Sequence, residues 1–275
     1  MADKQLLISV AHSLKEPWIT IFREGSQKTW LQTPLPSEFI LVHFHGLTLS
    51  NFWNKWDAVH EKVRWKNRWV AAPLRWFDEL VAFPFLNVIP SVKPSAALEN
   101  TSSSFEINCK DTYQFLRWKD LAILKYFVEN TSADYIFMTT NNSYVNFVKL
   151  VQLMDSLPPN SFYGGVVPYN GANFAAGNNR FLSRDVAEQV LRNRKWFSAG
   201  DIEDVALGKI ATGLGFPFRP LKSLVLQSLQ DLESASDEEL LDNFHFRVKS
   251  GPITSRNDVS IMLKLHSRLN GLRAK

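Results

Sequence analysis

Three groups of residues have the types and spacing to do chemistry. Thr139-Thr-Asn-Asn-Ser143 is a polar run directly after the apolar Tyr135-Ile-Phe-Met138. Its hydroxyls and amides suit a ligand site at a strand end, or equally a plain polar turn. Glu203 and Asp204 are neighbouring carboxylates, and a positioned carboxylate takes a proton from a hydroxyl. Asp201 and Asp204 also stand at N-cap and N3 spacing, which suits capping of a helix start. In Phe244-His-Phe-Arg-Val-Lys249 the apolar and polar residues alternate, so one strand face collects Arg247 and Lys249. His245 lies between two Phe, the setting of a packed strand residue as much as of a ligand-binding one. Arg23, Lys28 and Lys119 are further cations available to an anion.

These groups need elements to hold them. Leu6 to Val10 and Phe39 to Phe44 are short, nearly continuous apolar runs, as in strands buried on both faces. Residues 17–30 have helical character ending before Pro34, and 87–89 suit a short strand. Residues 91–104, with Pro94 and a Ser cluster, form a break. A helix is expected over 111–130, a strand over 135–138, a helix over 143–157 and a strand over 162–167. Ser183 is placed to cap another helix, and Ser236 with Glu239 has capping-box spacing. The alternation of strand and helix implies an α/β fold with a mostly parallel sheet flanked by helices.

Composition bounds the rest. The 275 residues are 45% hydrophobic, with 20 Phe, 9 Trp and 6 Tyr, enough for a packed core. A net charge of +4 favours an anionic ligand without choosing its kind. The lone Cys109 permits no intrachain disulfide, redox pair or cysteine zinc site. No Gly-x-Gly-x-x-Gly follows the first strand and there is no P-loop, so the dinucleotide and P-loop classes are disfavoured. The six His do not cluster as metal ligands; His43 and His45 merely share a strand face. No apolar run reaches the ~18 residues of a membrane span, and residues 1–5 lack a signal-peptide layout. The expectation is a soluble, cytoplasmic protein. Residues 63–76 interleave Arg and Lys with Trp, which suits core packing, a sugar-stacking platform, or single-stranded nucleic acid. No nucleic-acid module accompanies them, so no nucleic-acid partner is expected.

Several segments, in order, resemble one family. Asp111-Thr-Tyr-Gln-Phe-Leu-Arg-Trp-Lys119 is similar to the Asp-x-Tyr-x-x-Leu-x-x-Lys helix of fringe-like and β-1,3-galactosyltransferase-like enzymes of the GT-A fold. Thr139-Thr-Asn-Asn142 falls where those enzymes have Thr-Asp-Asp-Asp. Gly177-Asn-Asn-Arg-Phe-Leu-Ser-Arg-Asp185 resembles their Gly-Gly-Gly-Tyr-Val-Leu-Ser-Arg-Asp, and Glu203-Asp-Val-Ala-Leu-Gly208 their Glu-Asp-Val-x-x-Gly. Arg23 with Thr29-Trp30 looks like their amino-terminal Arg-x-x-x-x-x-Thr-Trp. Each motif alone is weak; their shared order from about residue 6 to 214 carries the resemblance.

The resemblance implies a single GT-A domain over 1–275: a nucleotide-sugar half (1–150), then an acceptor-side half with a small carboxy-terminal extension (151–275). It implies an inverting hexosyl- or pentosyl-transferase moving a sugar from a nucleotide-sugar, a UDP-sugar by preference, to a glycan or glycoconjugate hydroxyl. Asp204 would be the general base with Glu203 beside it. Arg23, Lys119, Thr140, Asn141, Asn142, His245 and Arg247 would bind donor, and Gly177, Asn178, Asn179 and Arg180 acceptor. The chain departs from the family where metal is held: the three acidic positions are Thr140, Asn141 and Asn142, all neutral. Hard cations want carboxylates. The expectation is therefore no required metal, or Mn²⁺ or Mg²⁺ bound weakly with donor through Asn142 and His245. The alternative is a catalytically silent domain that binds a sugar, nucleotide or protein partner.

Overall fold

A computed structural model describes residues 4–47, 89–98, 101, 103–111, 115–197, 201–252 and 255–274. Strand β1 (Leu6–His12) lies at the centre of an eight-stranded sheet, and Leu6, Leu7, Ile8 and Val10 are completely buried, as the unbroken apolar run requires. On one side it pairs in parallel with β2 (Phe39–Leu47), which pairs in parallel with β4 (Ser104–Lys110). On its other side it pairs in parallel with β5 (Tyr135–Thr140). β3 (Val92–Pro94) edges the sheet antiparallel to β4. Beyond β5 come β8 (Asn179–Ser183), β7 (Tyr163–Gly165) and β9 (Phe218–Pro220). A second sheet has the order β10 (Leu224–Leu226), β11 (His245–Val248), β6 (Ser143–Val145). The mixed α/β class with a mostly parallel central sheet flanked by helices is the one the sequence predicts.

Strand periodicity sends alternate residues into two cores. Leu7, Ile136 and Met138 face helices α1 (Leu116–Asn130), α3 (Arg184–Arg192) and α4 (Glu203–Gly213). Leu6, Ile8, Val10 and Phe137 face the second sheet and helices α2 (Phe147–Ser156), α5 (Leu229–Ser234), α6 (Asp237–Asp242) and α7 (Asp258–Arg273). Leu226, Phe246, Ile261 and Leu265 are fully buried there, so the carboxy-terminal segment is part of the core.

Several local expectations are corrected: residues 91–104 hold strand β3, and the helix expected from 111 is α1, which begins at Leu116. Residues 143–157 are not one helix: Ser143, Tyr144 and Val145 pair antiparallel with β11, and the helix begins after Asn146, whose side chain accepts the Lys149 N–H. Tyr and Val are good strand formers, and the edge of β11 gives them partners. Residues 17–30 form short α, π and 3₁₀ turns rather than a continuous helix. The chain breaks at Gly25, where a Cβ would stand 2.8 Å from Met262 Sδ of α7. The strand β8 was not anticipated; its five residues open with Asn179-Arg180, a poor strand signature. The basic, aromatic segment 63–76 and nearly all of 87–89 lie outside the described residues.

Candidate functional site

In an open α/β sheet, ligands bind beyond the carboxyl ends of the strands, where successive connections leave in opposite directions. Here that place lies between the ends of β1 and β5, because β2 flanks β1 on one side and β5 on the other. Polar residues gather along this edge. His12 ends β1, and its Nε2 lies 2.8 Å from His43 Nδ1 on β2. Burial, the largest cause, holds the His12 ring well below the usual imidazole range and brings His43 down to about 4, so both rings are neutral at pH 7. Asp111 follows β4 and accepts Ser13 Oγ at 2.7 Å and the Leu14 N–H at 3.3 Å. Its other oxygen pairs with Lys119 from α1, and both residues are buried.

The run after β5 is tied down on every side. Thr139 Oγ1 donates to the Asn178 carbonyl at 3.0 Å. Asn141 Nδ2 donates to the Trp18 carbonyl at 2.9 Å, and Ser26 Oγ donates to the Asn141 carbonyl at 2.8 Å. Asn142 Oδ1 accepts the Thr140 hydroxyl at 2.6 Å while its Nδ2 donates to the Val248 carbonyl at 3.1 Å. His245 is fully buried, with Nδ1 2.7 Å from Ser223 Oγ and Nε2 3.4 Å from Thr139 Oγ1. Burial, and then Arg247, push its pKa down to about 3, which keeps it neutral. The donor set at 140–142 is a hydroxyl and two amides with no carboxylate, and the Asn142 oxygen is already engaged. It does not fit a divalent-cation site. Among the described residues no three His, Cys, Asp or Glu side chains converge as metal ligands.

The charged centre of the edge is formed by β8, α4 and α1. Arg180 of β8 grips Asp120 of α1, with Nη2 to Oδ1 at 2.9 Å. Asp204, in the first turn of α4, accepts the Gly177 N–H on Oδ2 at 3.1 Å and the Val205 N–H on Oδ1 at 2.8 Å. Gly177 lies close against this pair: a Cβ there would stand 3.0 Å from Glu203 Oε1, which would have to shift slightly, and 3.7 Å from Asp204 Oδ2. Burial, then the Asp120 charge, lift the Glu203 carboxyl to about 7 against the opposing pull of Arg180. Asp201 does not cap the helix; Ile202 is the N-cap and Asp201 pairs with Lys209 at 2.8 Å. Acidic groups in the first turn still meet the helix dipole favourably.

The candidate residues thus fall into two connected sets. Gly177 bonds Asp204, Arg180 bonds Asp120 within the electrostatic reach of Glu203 and Asp204, and Asn178 joins this set to Thr139 and His245. Thr140 to Asn142 are laced to β11 through Val248, next to Arg247, which lies opposite Ser143 in register. Arg23 is exposed on the turn that leads to Ser26, and Lys28, also exposed, pairs with Glu24. Asp120, His12 and Ser223 were missed in the sequence. For Asp120 a signal was there: Lys119-Asp120 interrupts the otherwise apolar run Trp118 to Leu124, and charges so placed are buried only when paired.

No protein-family model and no curated protein matches the chain. Among solved structures, it is similar to the apo form of mouse xyloside xylosyltransferase 1 at 10% identity and a TM-score of 0.39, covering 90% of this chain and 97% of that one. The apo glycosyltransferase GlyE of Streptococcus pneumoniae gives 8% identity and a TM-score of 0.44, covering 98% and 63%. The mannosyltransferase PcManGT of Pyrobaculum calidifontis, solved with GDP-Man and Mn²⁺, gives 9% and 0.44, covering 100% and 74%. The structural neighbours are glycosyltransferases. At this level of likeness they decide nothing about the site, which rests on the residues themselves.

Proposed function

We propose that this chain is a GT-A-type glycosyltransferase, transferring a sugar with inversion from a nucleotide-sugar, a UDP-sugar by preference, to a hydroxyl of a glycan acceptor. The observation that carries the reading is the fastening of Asp204 to Gly177 beside Glu203 and Arg180 at the carboxyl edge of the sheet. In this reading Asp204 takes the proton of the acceptor hydroxyl as its oxygen bonds to the anomeric carbon. The bond from that carbon to the diphosphate breaks, and the diphosphate leaves with the electron pair.

The donor belongs to the 1–150 half with β11, and the acceptor to Gly177–Arg180. Lys119 already faces Asp111, so it tunes this edge rather than meeting the diphosphate; Arg23 and Arg247 serve the diphosphate instead. Thr140, Asn141 and Asn142 shape the floor beneath it, and neutral His245 braces that floor through Thr139. The reading assigns no step to a metal ion, because the amides at 141 and 142 are a poor donor set; Mn²⁺ or Mg²⁺ has at most a weak role alongside donor.

The same hydrogen bonds favour a second reading. Asn141 and Asn142 spend their amides on Trp18 and Val248, as in a domain that keeps the fold and binds a partner without turnover. A thermal-shift screen of UDP-, GDP- and CMP-sugars, each with Mn²⁺ and with EDTA, separates the two. A shift with one donor that survives EDTA names that donor, and release of its nucleoside diphosphate by the wild type but not by Asp204→Asn supports transfer over a silent nucleotide-binding domain. No shift with any donor supports the silent domain.

A further inference from the structure

Residues 192–196 bring three cations and a tryptophan to one short surface turn. Helix α3 ends at Arg192, and a 3₁₀ turn over Arg194–Trp196 follows. The turn is pinned from within. Phe197 is buried and its N–H donates to the Arg194 carbonyl at 3.0 Å, while the Trp196 N–H donates to the Asn193 carbonyl at 2.9 Å. On the outer side Lys195 is exposed and Trp196 is 50% exposed. Arg192 is exposed as well and pairs loosely with Glu188 at 3.6 Å. Beside the turn, between α1 and α3, runs a groove of about 610 Å³. Half-buried Val128 and Leu191 line it together with Lys125, Arg192 and Arg194, against which stand Glu129 and Glu188. With Lys195 next to them, four cations face two carboxylates.

An anionic bilayer surface answers each of these features. Its potential draws Lys and Arg, and each cation held near it strengthens binding about fivefold. Tryptophan belongs at the headgroup level, where its ring meets apolar surroundings and its N–H meets water. The apolar lining of the groove suits the boundary between headgroups and acyl chains. A nucleic acid answers fewer of them. Single strands stack successive bases on successive aromatic side chains, and here Trp196 stands alone because its neighbour Phe197 is buried. Glu129 and Glu188 would also oppose a phosphate backbone laid along the groove.

We propose that the turn 192–196 docks this protein on an anionic membrane surface. Docking is independent of sugar transfer, and neither reading falls with the other. The test is co-sedimentation of the full chain with vesicles, of phosphatidylcholine alone or with an equal part of phosphatidylglycerol, at ~0.1 M and ~1 M NaCl. The expected result is binding to the mixed vesicles at low salt, at least about tenfold weaker on phosphatidylcholine alone and at high salt.

Three variants locate the contact. Lys195→Glu should weaken binding by about tenfold or more. Lys222→Glu makes the same change in net charge at an exposed residue paired with Asp242 of α6, across the central sheet from α3, and should leave binding within about twofold. Trp196→Ser should weaken it roughly tenfold while keeping its salt dependence. All three side chains are exposed, so Tm should stay within ~2 °C of wild type. Equal binding to the two vesicle types, equal losses with Lys195→Glu and Lys222→Glu, or no loss with Trp196→Ser overturns the proposal. So does a failure to bind the mixed vesicles. If an oligothymidylate is then bound at ~0.1 M NaCl and lost in Lys195→Glu, the turn belongs to nucleic acid instead.

Discussion

Arg180 and Asp120 meet through both guanidinium Nη atoms, and each side chain is at most 5% exposed, so β8 is joined to α1 by an ion pair sealed from water. Burial, helped by the nearby Asp204 charge, raises the Asp120 pKa, and Arg180 is the largest opposing influence. The pair also sets the charge that Glu203 and Asp204 experience.

Asp120→Ala strips a buried guanidinium of its closest partner and should cost about 3–5 kcal/mol in a urea titration. The double replacement Asp120→Leu with Arg180→Met should recover most of that loss, because two charges are then removed together. A double variant as unstable as the single would mean that the pair does more than neutralise itself.

Asp204→Asn removes the basicity and keeps one amide oxygen for the Gly177 N–H, at the cost of the acceptor for the Val205 N–H. We expect kcat to fall by about 10²–10⁴ with donor affinity unchanged within about threefold. Turnover that survives the change would reduce Asp204 to a residue that fastens the 177 turn.

Asn142→Asp restores an acid at a position where the resembling enzymes carry one, yet it turns an N–H donor into an oxygen facing the Val248 carbonyl. It should destabilise the protein by roughly 1–3 kcal/mol at pH 7. The gap to wild type should narrow at pH 3, where the new carboxyl is protonated; a Tm comparison at both values reads it.

Stability should depend on pH through two opposed groups. Glu203 has its carboxyl raised from 4.5 to about 7 by burial, so its contribution is complete below 4.5 and lost as pH rises through 7. Glu203→Gln should therefore exceed wild type in stability at pH 8, by about 2 kcal/mol, and the advantage should shrink by pH 5. His43 and His245 are lowered to about 4 and about 3, so their contribution is complete above 6.5 and lost as pH falls through those values. An acid series of urea titrations followed by circular dichroism should show this loss accruing as pH falls from 6.5 to about 3.

Arg184 closes the end of α1. Its guanidinium donates to the Val128 carbonyl at 3.1 Å, which the helix terminus leaves without a partner, and to the carbonyls of Thr131 at 2.9 Å and Ala133 at 2.6 Å in the segment that follows. Arg184→Lys keeps the charge but loses the planar fork, and should cost about 1–2 kcal/mol in chemical denaturation. Arg184→Ala should cost more.

The sheet's centre was legible in the sequence because β1, β2 and β5 are apolar runs with few other possibilities. The acidic start of α4 was legible too, although Asp201 turned to Lys209 and left the cap to Ile202. What escaped depends on distant partners. Ser143 to Val145 become a strand only because residues 245–247 arrive beside them. β8 forms from Asn179 and Arg180 because β5 and β7 flank it and Asp120 neutralises the arginine. Local pattern holds no record of such pairings.

The lacing of Asn142 to Val248 has a consequence for how the protein is born. The two residues are 106 positions apart, yet each bonds to the other through main chain or side chain. At a synthesis rate of about 5–20 residues per second, the ribosome spends roughly 5–20 seconds between them. Throughout that interval the turn that closes β5 lacks its final fastening. The nascent chain gains its finished ligand edge only once β11 has been made.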